Sequence, residues 1–122
     1  MKVGKDWGAR PEEDMLRSGA VDFQQADATR CLGITGWLQA AALAHRLAVP
    51  FSGHTAPSIH AQAGCAAPQL WHVECFYDHA RIEQMLFDGA PRPVGGSLRP
   101  DPGRPGLGLE LKRRDAERWR AG

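Results

Sequence analysis

Short apolar runs alternate with segments of helical length through most of the chain. An apolar stripe at i, i+3, i+4 and i+7, from Trp37 to Ala44, predicts a helix over about 35–47. Pro50 prevents its continuation. Trp37 is therefore predicted to lie in the core. The remaining predicted helices span about 11–18 and 57–67, and the predicted strands span 21–26, 49–52 and 70–73. The other tryptophans, Trp7, Trp71 and Trp119, are also predicted to be packing residues.

The predicted elements follow one another as helix, strand, helix, strand, helix, strand. Because a connection of helical length joins each strand to the next, we expect the strands to be parallel and the helices to cover the sheet. The predicted fold class is therefore α/β. The pattern suits an α/β barrel as well as a doubly wound open sheet.

The amino-acid composition of the chain changes after Phe87. Residues 89–108 contain six glycines and five prolines, a composition that excludes regular helix and central strand. We predict that residues 1–88 form a partial α/β unit and residues 89–122 a Pro/Gly-rich C-terminal wrap. Within that wrap, a short strand is predicted over 107–111 and a charged helix over 112–120.

Composition narrows the possible functions. The 122 residues include 15 Lys and Arg and 14 Asp and Glu, a net charge of +1, which gives no case for a nucleic-acid partner. No apolar run approaches the roughly 18 residues of a membrane span, and no apolar segment follows the N-terminus as in a signal peptide. Three widely spaced cysteines do not indicate a disulfide framework. The expected location is therefore the cytoplasm.

Polar residues follow all three predicted strands. Asp27, His54 and Glu74 each come at the carboxyl end of a strand, where α/β folds place ligands and catalysis. Adjacent parallel strands lie about 4.8 Å apart, so side chains at neighbouring strand ends can touch. His54 suits a general base, and Asp27 on the previous strand could accept a hydrogen bond from the other ring nitrogen and so fix the tautomer. A protonated Glu74 could donate a hydrogen bond to a developing oxyanion.

Two other functions remain open from the residues alone. His72, Cys75 and His79 have a spacing typical of metal ligands, and Cys65 or His60 could supply a fourth ligand, so a small metal-binding domain is one alternative. A non-catalytic interaction domain is the other. In that case the residues at the strand ends would have no catalytic role.

The sequence segments around the strand-end residues resemble those of the enolase superfamily, in its mandelate racemase and muconate lactonizing enzyme branch. Residues 25–35 resemble the sixth-strand segment of that branch, 52–60 its seventh-strand histidine segment, and 71–79 its eighth-strand glutamate segment. The tail, at residues 85–89 and 104–108, is similar to the closing segment that packs on the family's capping domain. The resemblance covers roughly residues 7–118.

The resemblance implies the last three strands of a modified TIM (β/α)7β barrel. Enzymes of this branch abstract a proton α to a carboxylate and stabilise the enediolate on Mg²⁺, as acid-sugar dehydratases or 2-hydroxy-acid racemases. On this basis Asp27 and His54 form a His–Asp dyad, and Glu74 is the acid facing the enediolate. The substrate would be a small molecule that carries a carboxylate.

The resemblance also implies that this chain is a fragment. The family's metal ligands belong to the third, fourth and fifth strands, and Val3-Gly4-Lys5 stands where the family has a Val-Gly-Glu segment with a ligand. Lysine cannot coordinate Mg²⁺. We therefore expect the chain to be inactive alone, to bind no Mg²⁺ alone, and to need the missing barrel half or a second copy as its partner.

Overall fold

A computed structural model describes residue 1, residues 3–5 and residues 9–121, and side chains from residue 13 onward and at residue 1. The strands are β1 (Val3–Lys5), β2 (Phe23–Ala26), β3 (Phe51–Gly53), β4 (Leu70–Val73), β5 (Phe87–Asp88) and β6 (Glu110–Leu111). The helices are α1 (Ala9–Arg17), α2 (Gly33–Arg46), α3 (Pro57–Gly64), α4 (Tyr77–Leu86) and α5 (Arg113–Glu117).

The first four strands form one parallel sheet in the order β1-β2-β3-β4. The predicted α/β class and parallel pairing are therefore confirmed. The prediction of three strands is wrong, because β1 adds a fourth, with Lys5 opposite Gln25 of β2. Its three residues include a central glycine and show no apolar alternation, so the sequence pattern did not reveal it. The outer edges of β1 and β4 have no partner strand in the described part of the chain.

The core lies between the sheet and α2. Trp37 is fully buried and packs edge-on against Phe51, with their ring centroids 5.1 Å apart. The small side chains of Ala40, Ala41 and Ala44 bring α2 close to the strands, and all three are buried. Burial of this apolar stripe, rather than helix propensity, is what holds α2 in place. The prediction that Trp37 belongs to the core is confirmed.

Two other tryptophans are placed differently from the prediction. Trp71 is 71% exposed and Trp119 is 63% exposed. Trp71 still contacts the edge of the Phe23 ring, but its other side has no cover within the described residues. The remaining tryptophan, Trp7, lies outside the described residues.

The C-terminal part is tied to the rest of the chain by a short antiparallel pair. Phe87 pairs with Leu111 and Asp88 with Glu110, so the Pro/Gly-rich segment is the loop that this pair closes. Arg104 folds back within the loop to form an ion pair with Asp88. The predicted boundary after residue 88 coincides with the end of β5, and the partner strand β6 lies in the predicted C-terminal wrap. That residues 89–122 pack on a capping domain stays a prediction.

Helix α4 was not predicted from the sequence. Helix α5 and strand β6 are shorter than the predicted helix 112–120 and the predicted strand 107–111. The helices within the described part of the chain include none that is long and apolar enough to cross a membrane.

Candidate active site

The backbone ladder of the sheet aligns the three strand-end residues. Asp27 directly follows β2, His54 follows β3 and Glu74 follows β4. The His54 amide donates to the carbonyl of Ala26 at 2.8 Å, and the Glu74 amide donates to the carbonyl of Gly53 at 2.9 Å. These bonds continue the pairing of β2 with β3 and of β3 with β4 by one residue. The three side chains therefore start from one edge of the sheet, as the sequence predicted.

The side chains of these residues meet, with His54 in the middle. Its Nδ1 lies 3.2 Å from Oδ2 of Asp27, and its Nε2 lies 3.7 Å from Oε2 of Glu74. An ionised carboxylate only accepts hydrogen bonds, so Nδ1 of a neutral His54 must carry the proton. The lone pair of Nε2 then points toward Glu74. A histidine held in this tautomer can take a proton from a substrate that approaches Nε2.

Asp27 is held in place by the turn that follows it. Its Oδ1 accepts hydrogen bonds from the amide and hydroxyl of Thr29, at 2.8 and 2.7 Å, and Arg30 Nε lies 3.6 Å from its Oδ2. Burial alone would raise the pKa of Asp27, but the bonds from Thr29 and the contact with His54 outweigh it, so the pKa lies below its ordinary value. Asp27 is thus ionised at neutral pH. Thr29 was missed by the sequence analysis, although its position two residues after an aspartate is typical of such turns.

The lowered pKa of Asp27 predicts a pH-dependent contribution to stability. A carboxyl with a depressed folded-state pKa stabilises the fold above its unfolded pKa, and this contribution is lost as the pH falls through the folded pKa. We expect Asp27→Asn to lower the free energy of unfolding by about 1.5–3 kcal/mol at pH 7, the typical value of hydrogen bonds to a charged group. The difference from the native chain should shrink below about pH 4.

Urea denaturation of both proteins between pH 3 and pH 7 measures this difference. Asp14→Asn on the exposed face of α1 is the matched control, and its effect should stay within about 0.5 kcal/mol at every pH. An Asp27→Asn effect that is equally large at pH 3 and pH 7 would show that the charge of Asp27 does not stabilise the fold.

The turn after His54 has an unusual backbone. Thr55 and Ala56 both have positive φ angles, 51° and 38°, which are strained for residues with a β-carbon. His60, one helical turn into α3, reaches back to this turn: its Nδ1 lies 2.7 Å from the Thr55 carbonyl oxygen. Its Nε2 accepts a hydrogen bond from the Ala28 amide at 3.0 Å. From the sequence, His60 was considered only as a metal ligand.

The structure does not assemble the alternative metal site. His60 is fully buried and both of its ring nitrogens are engaged, so it has no lone pair for a metal. His72 stacks on Phe23 and His79 packs against Phe76, so the two imidazoles lie against different rings. Across the described residues there is no group of three or more His, Cys, Asp or Glu side chains that could hold a metal ion. The described residues therefore fit neither a zinc site nor a Mg²⁺ site.

Comparison with known proteins gives a family and a set of relatives. The family of enolase C-terminal domain-like proteins matches residues 7–116. A D-gluconate dehydratase from Thermoproteus tenax is 32% identical over 111 residues, which are 87% of this chain and 22% of that enzyme.

Solved structures share the fold. A mandelate racemase/muconate lactonizing enzyme-like protein from Rubrobacter xylanophilus is 50% identical, with a TM-score of 0.87 over 95% of this chain and 32% of that one. The L-talarate/galactarate dehydratase from Salmonella typhimurium LT2, solved with Mg and L-lyxarohydroxamate, is 26% identical, with a TM-score of 0.79 over 96% of this chain and 29% of that one.

This chain thus spans about a fifth of the length of the curated relative and about a third of the solved structures. The matched part is the C-terminal portion of an enolase-type enzyme, as the resemblance indicated. With the family match over nearly the whole chain and the parallel α/β fold shared with these structures, the chain belongs to the enolase C-terminal domain-like family, among the mandelate racemase/muconate lactonizing enzyme-like members of the enolase superfamily.

Proposed function

We propose that this chain supplies the general base and an acid to a barrel enzyme that removes a proton α to a carboxylate. The observation that carries the proposal is the position of His54 between the two carboxyl groups. One carboxylate, Asp27, fixes the tautomer at Nδ1, and the other, Glu74, stands beyond Nε2. Both contacts join neighbouring strand ends at the edge where α/β enzymes bind their substrates.

His54 performs the first step. The bond between Cα and hydrogen breaks, the proton moves to Nε2, and the electron pair passes into the substrate carboxylate to give an enediolate. Asp27 stabilises the imidazolium that forms, since its ionised Oδ2 lies next to Nδ1. In a dehydration, the proton on Nε2 then leaves with the β-hydroxyl as water. In a racemisation, a second acid on the opposite face, supplied by polypeptide beyond these residues, would protonate Cα, and His54 would later release its proton from Nε2 to solvent.

Glu74 faces the place where negative charge develops. Its Oε2 is buried and has no hydrogen-bond partner among the described residues, with His54 Nε2 3.7 Å away. A buried polar atom without a partner is costly unless a ligand satisfies it. In its protonated form Glu74 would donate a hydrogen bond to the enediolate oxygen, as an acid aimed at the transition state.

The substrate class follows from the relatives. Two of them are named as dehydratases of sugar-derived acids, D-gluconate and L-talarate/galactarate. We therefore propose dehydration of a polyhydroxy carboxylic acid. Racemisation of a 2-hydroxy acid shares the first step and is the second candidate.

The rest of the barrel must come from polypeptide beyond these residues. The unpaired edges of β1 and β4 are where further parallel strands would add, since two open edges are what remain when a barrel is divided. The Mg²⁺ that the Salmonella relative holds would be bound by those strands, because the described residues do not fit it. When bound, the metal supplies charge stabilisation for the enediolate.

A chimera tests the proposal. Residues 9–118 of this chain would replace the corresponding third of the Rubrobacter protein, the structural relative that is 50% identical. With Mg²⁺ in D₂O, we expect NMR to show exchange of the α-proton, or loss of water, for at least one acid of a panel of sugar acids and 2-hydroxy acids. The unmodified Rubrobacter protein is the control for panel and assay. A folded chimera that exchanges no α-proton while the control does so would contradict the proposal.

A further inference from the structure

We propose that His60 is a positioning residue, which joins the Asp27 turn to the His54 turn and thereby sets the geometry of the dyad. His60 touches neither Asp27 nor His54 through a hydrogen bond. It instead binds the residue that follows each of them, the Ala28 amide and the Thr55 carbonyl. The inference rests on the proposed function only in calling the Asp27–His54 pair a catalytic dyad.

The two hydrogen bonds allow only one form of the His60 ring. Nε2 faces an N–H group and must accept, while Nδ1 faces a carbonyl oxygen and must donate. A neutral imidazole with its proton on Nδ1 meets both demands, and an imidazolium meets only one. Burial lowers the pKa of His60 and outweighs the groups that raise it, so the neutral form persists at neutral pH.

The residues around the His60 ring pack closely against it. A β-carbon on Gly53 would lie 2.8 Å from Cγ of His60, so only glycine permits this approach. On its other side the ring packs against Trp37, with centroids 5.2 Å apart. The ring is thereby confined between β3 and α2, and a confined ring places its two hydrogen bonds precisely enough to align two loops.

The turn that His60 holds is strained. Thr55 and Ala56 have positive φ angles, and such strain persists only where the surroundings fix it. The Thr55 carbonyl is fixed by Nδ1 of His60, and this turn begins one residue after His54. Without His60 the turn would relax, and His54 would move relative to Asp27.

The test measures the ring tautomer of His54 by ¹⁵N NMR of the chain labelled on histidine. In the native chain, we expect His54 to hold its proton on Nδ1 and His60 to do the same. His60→Leu removes both hydrogen bonds at similar volume, and we expect the Ala28 amide to lose its protection from exchange and His54 to become a mixture of both tautomers.

Two further variants separate positioning from general stability. His60→Gln keeps an acceptor at the place of Nε2 but no donor at the place of Nδ1, so it should restore the Ala28 protection and still leave His54 as a mixture of both tautomers. Ala44→Gly weakens α2, away from both turns, and should leave the His54 tautomer unchanged although it destabilises the fold.

Clear results would overturn the proposal. A folded His60→Leu or His60→Gln chain in which His54 keeps a single Nδ1–H tautomer would do so. If neither variant folds, the native chain decides, because a His60 proton on Nε2 is incompatible with the proposed bonds. None of these readouts needs turnover. An inactive chimera would therefore refute the proposed function and leave the positioning role standing.

Discussion

Replacing His54 with glutamine is expected to reduce α-proton exchange in the chimera by about 10²- to 10⁴-fold, the usual contribution of a positioned general base. Glutamine has nearly the length of histidine and can bond to Asp27, but its amide does not accept a proton near neutral pH. The expected loss therefore lies in kcat, with KM for the acid changed much less. Exchange rates measured by NMR over a range of substrate concentrations separate the two.

Glu74→Gln and His45→Gln complete the comparison. Glu74→Gln still offers an N–H donor toward the enediolate, so we expect a smaller loss than for His54→Gln. His45→Gln changes an exposed histidine of α2 outside the strand-end site and should leave exchange unchanged. A His54→Gln chimera that exchanges as fast as the parent chimera would exclude His54 as the base.

The strand-end residues could be predicted because their placement follows from connectivity. Once helical crossovers make neighbouring strands parallel, Asp27, His54 and Glu74 must start from the same edge of the sheet. The contact between their side chains then follows from the strand spacing. The place of His54 between the two carboxyl groups follows in the same way from the strand order β2-β3-β4. The sequence did not reveal which ring nitrogen faces which carboxyl group, because that depends on side-chain geometry.

The role of His60 could not be predicted from the sequence. A histidine in a helix can be a ligand, a base or a buried structural group, and the sequence around it does not distinguish these roles. What distinguishes them is burial and the direction of two hydrogen bonds, both set by tertiary packing. The same holds for Gly53. Glycine is required at this position because the His60 ring packs against it, and this contact is known only from the structure.

The incorrect predictions for β1 and Trp71 also have physical reasons. β1 is too short and too polar to show a strand pattern, and it is recognisable only from its pairing with β2. Trp71 was expected to be packed, but it lies on an edge strand, where its outer side has no cover in the described part of the chain. A large exposed aromatic beside an unpaired strand is what an incomplete barrel would present.

Replacing Trp37 with alanine is expected to have the largest effect on stability, because this side chain joins the core to the site. It is fully buried against Phe51 and His60, and its indole N–H donates to the Ala26 carbonyl at 2.9 Å, one residue before Asp27. Substitutions of buried aromatic residues by alanine cost about 3–5 kcal/mol. Small domains have a free energy of unfolding of about 5–15 kcal/mol, so a large share of the stability of this chain would be lost.

Trp119→Ala is the matched control, because the same side chain is 63% exposed on the C-terminal segment. Its effect should stay within about 0.5 kcal/mol. Trp37→Phe keeps an aromatic ring but loses the hydrogen bond to Ala26, and should fall between the two. Urea denaturation followed by far-UV circular dichroism measures all three. If Trp37→Ala proved as stable as Trp119→Ala, the packing of α2 on the strands would not be what holds Asp27 and His54 together, and the cohesion of the site would have to come from the turns themselves.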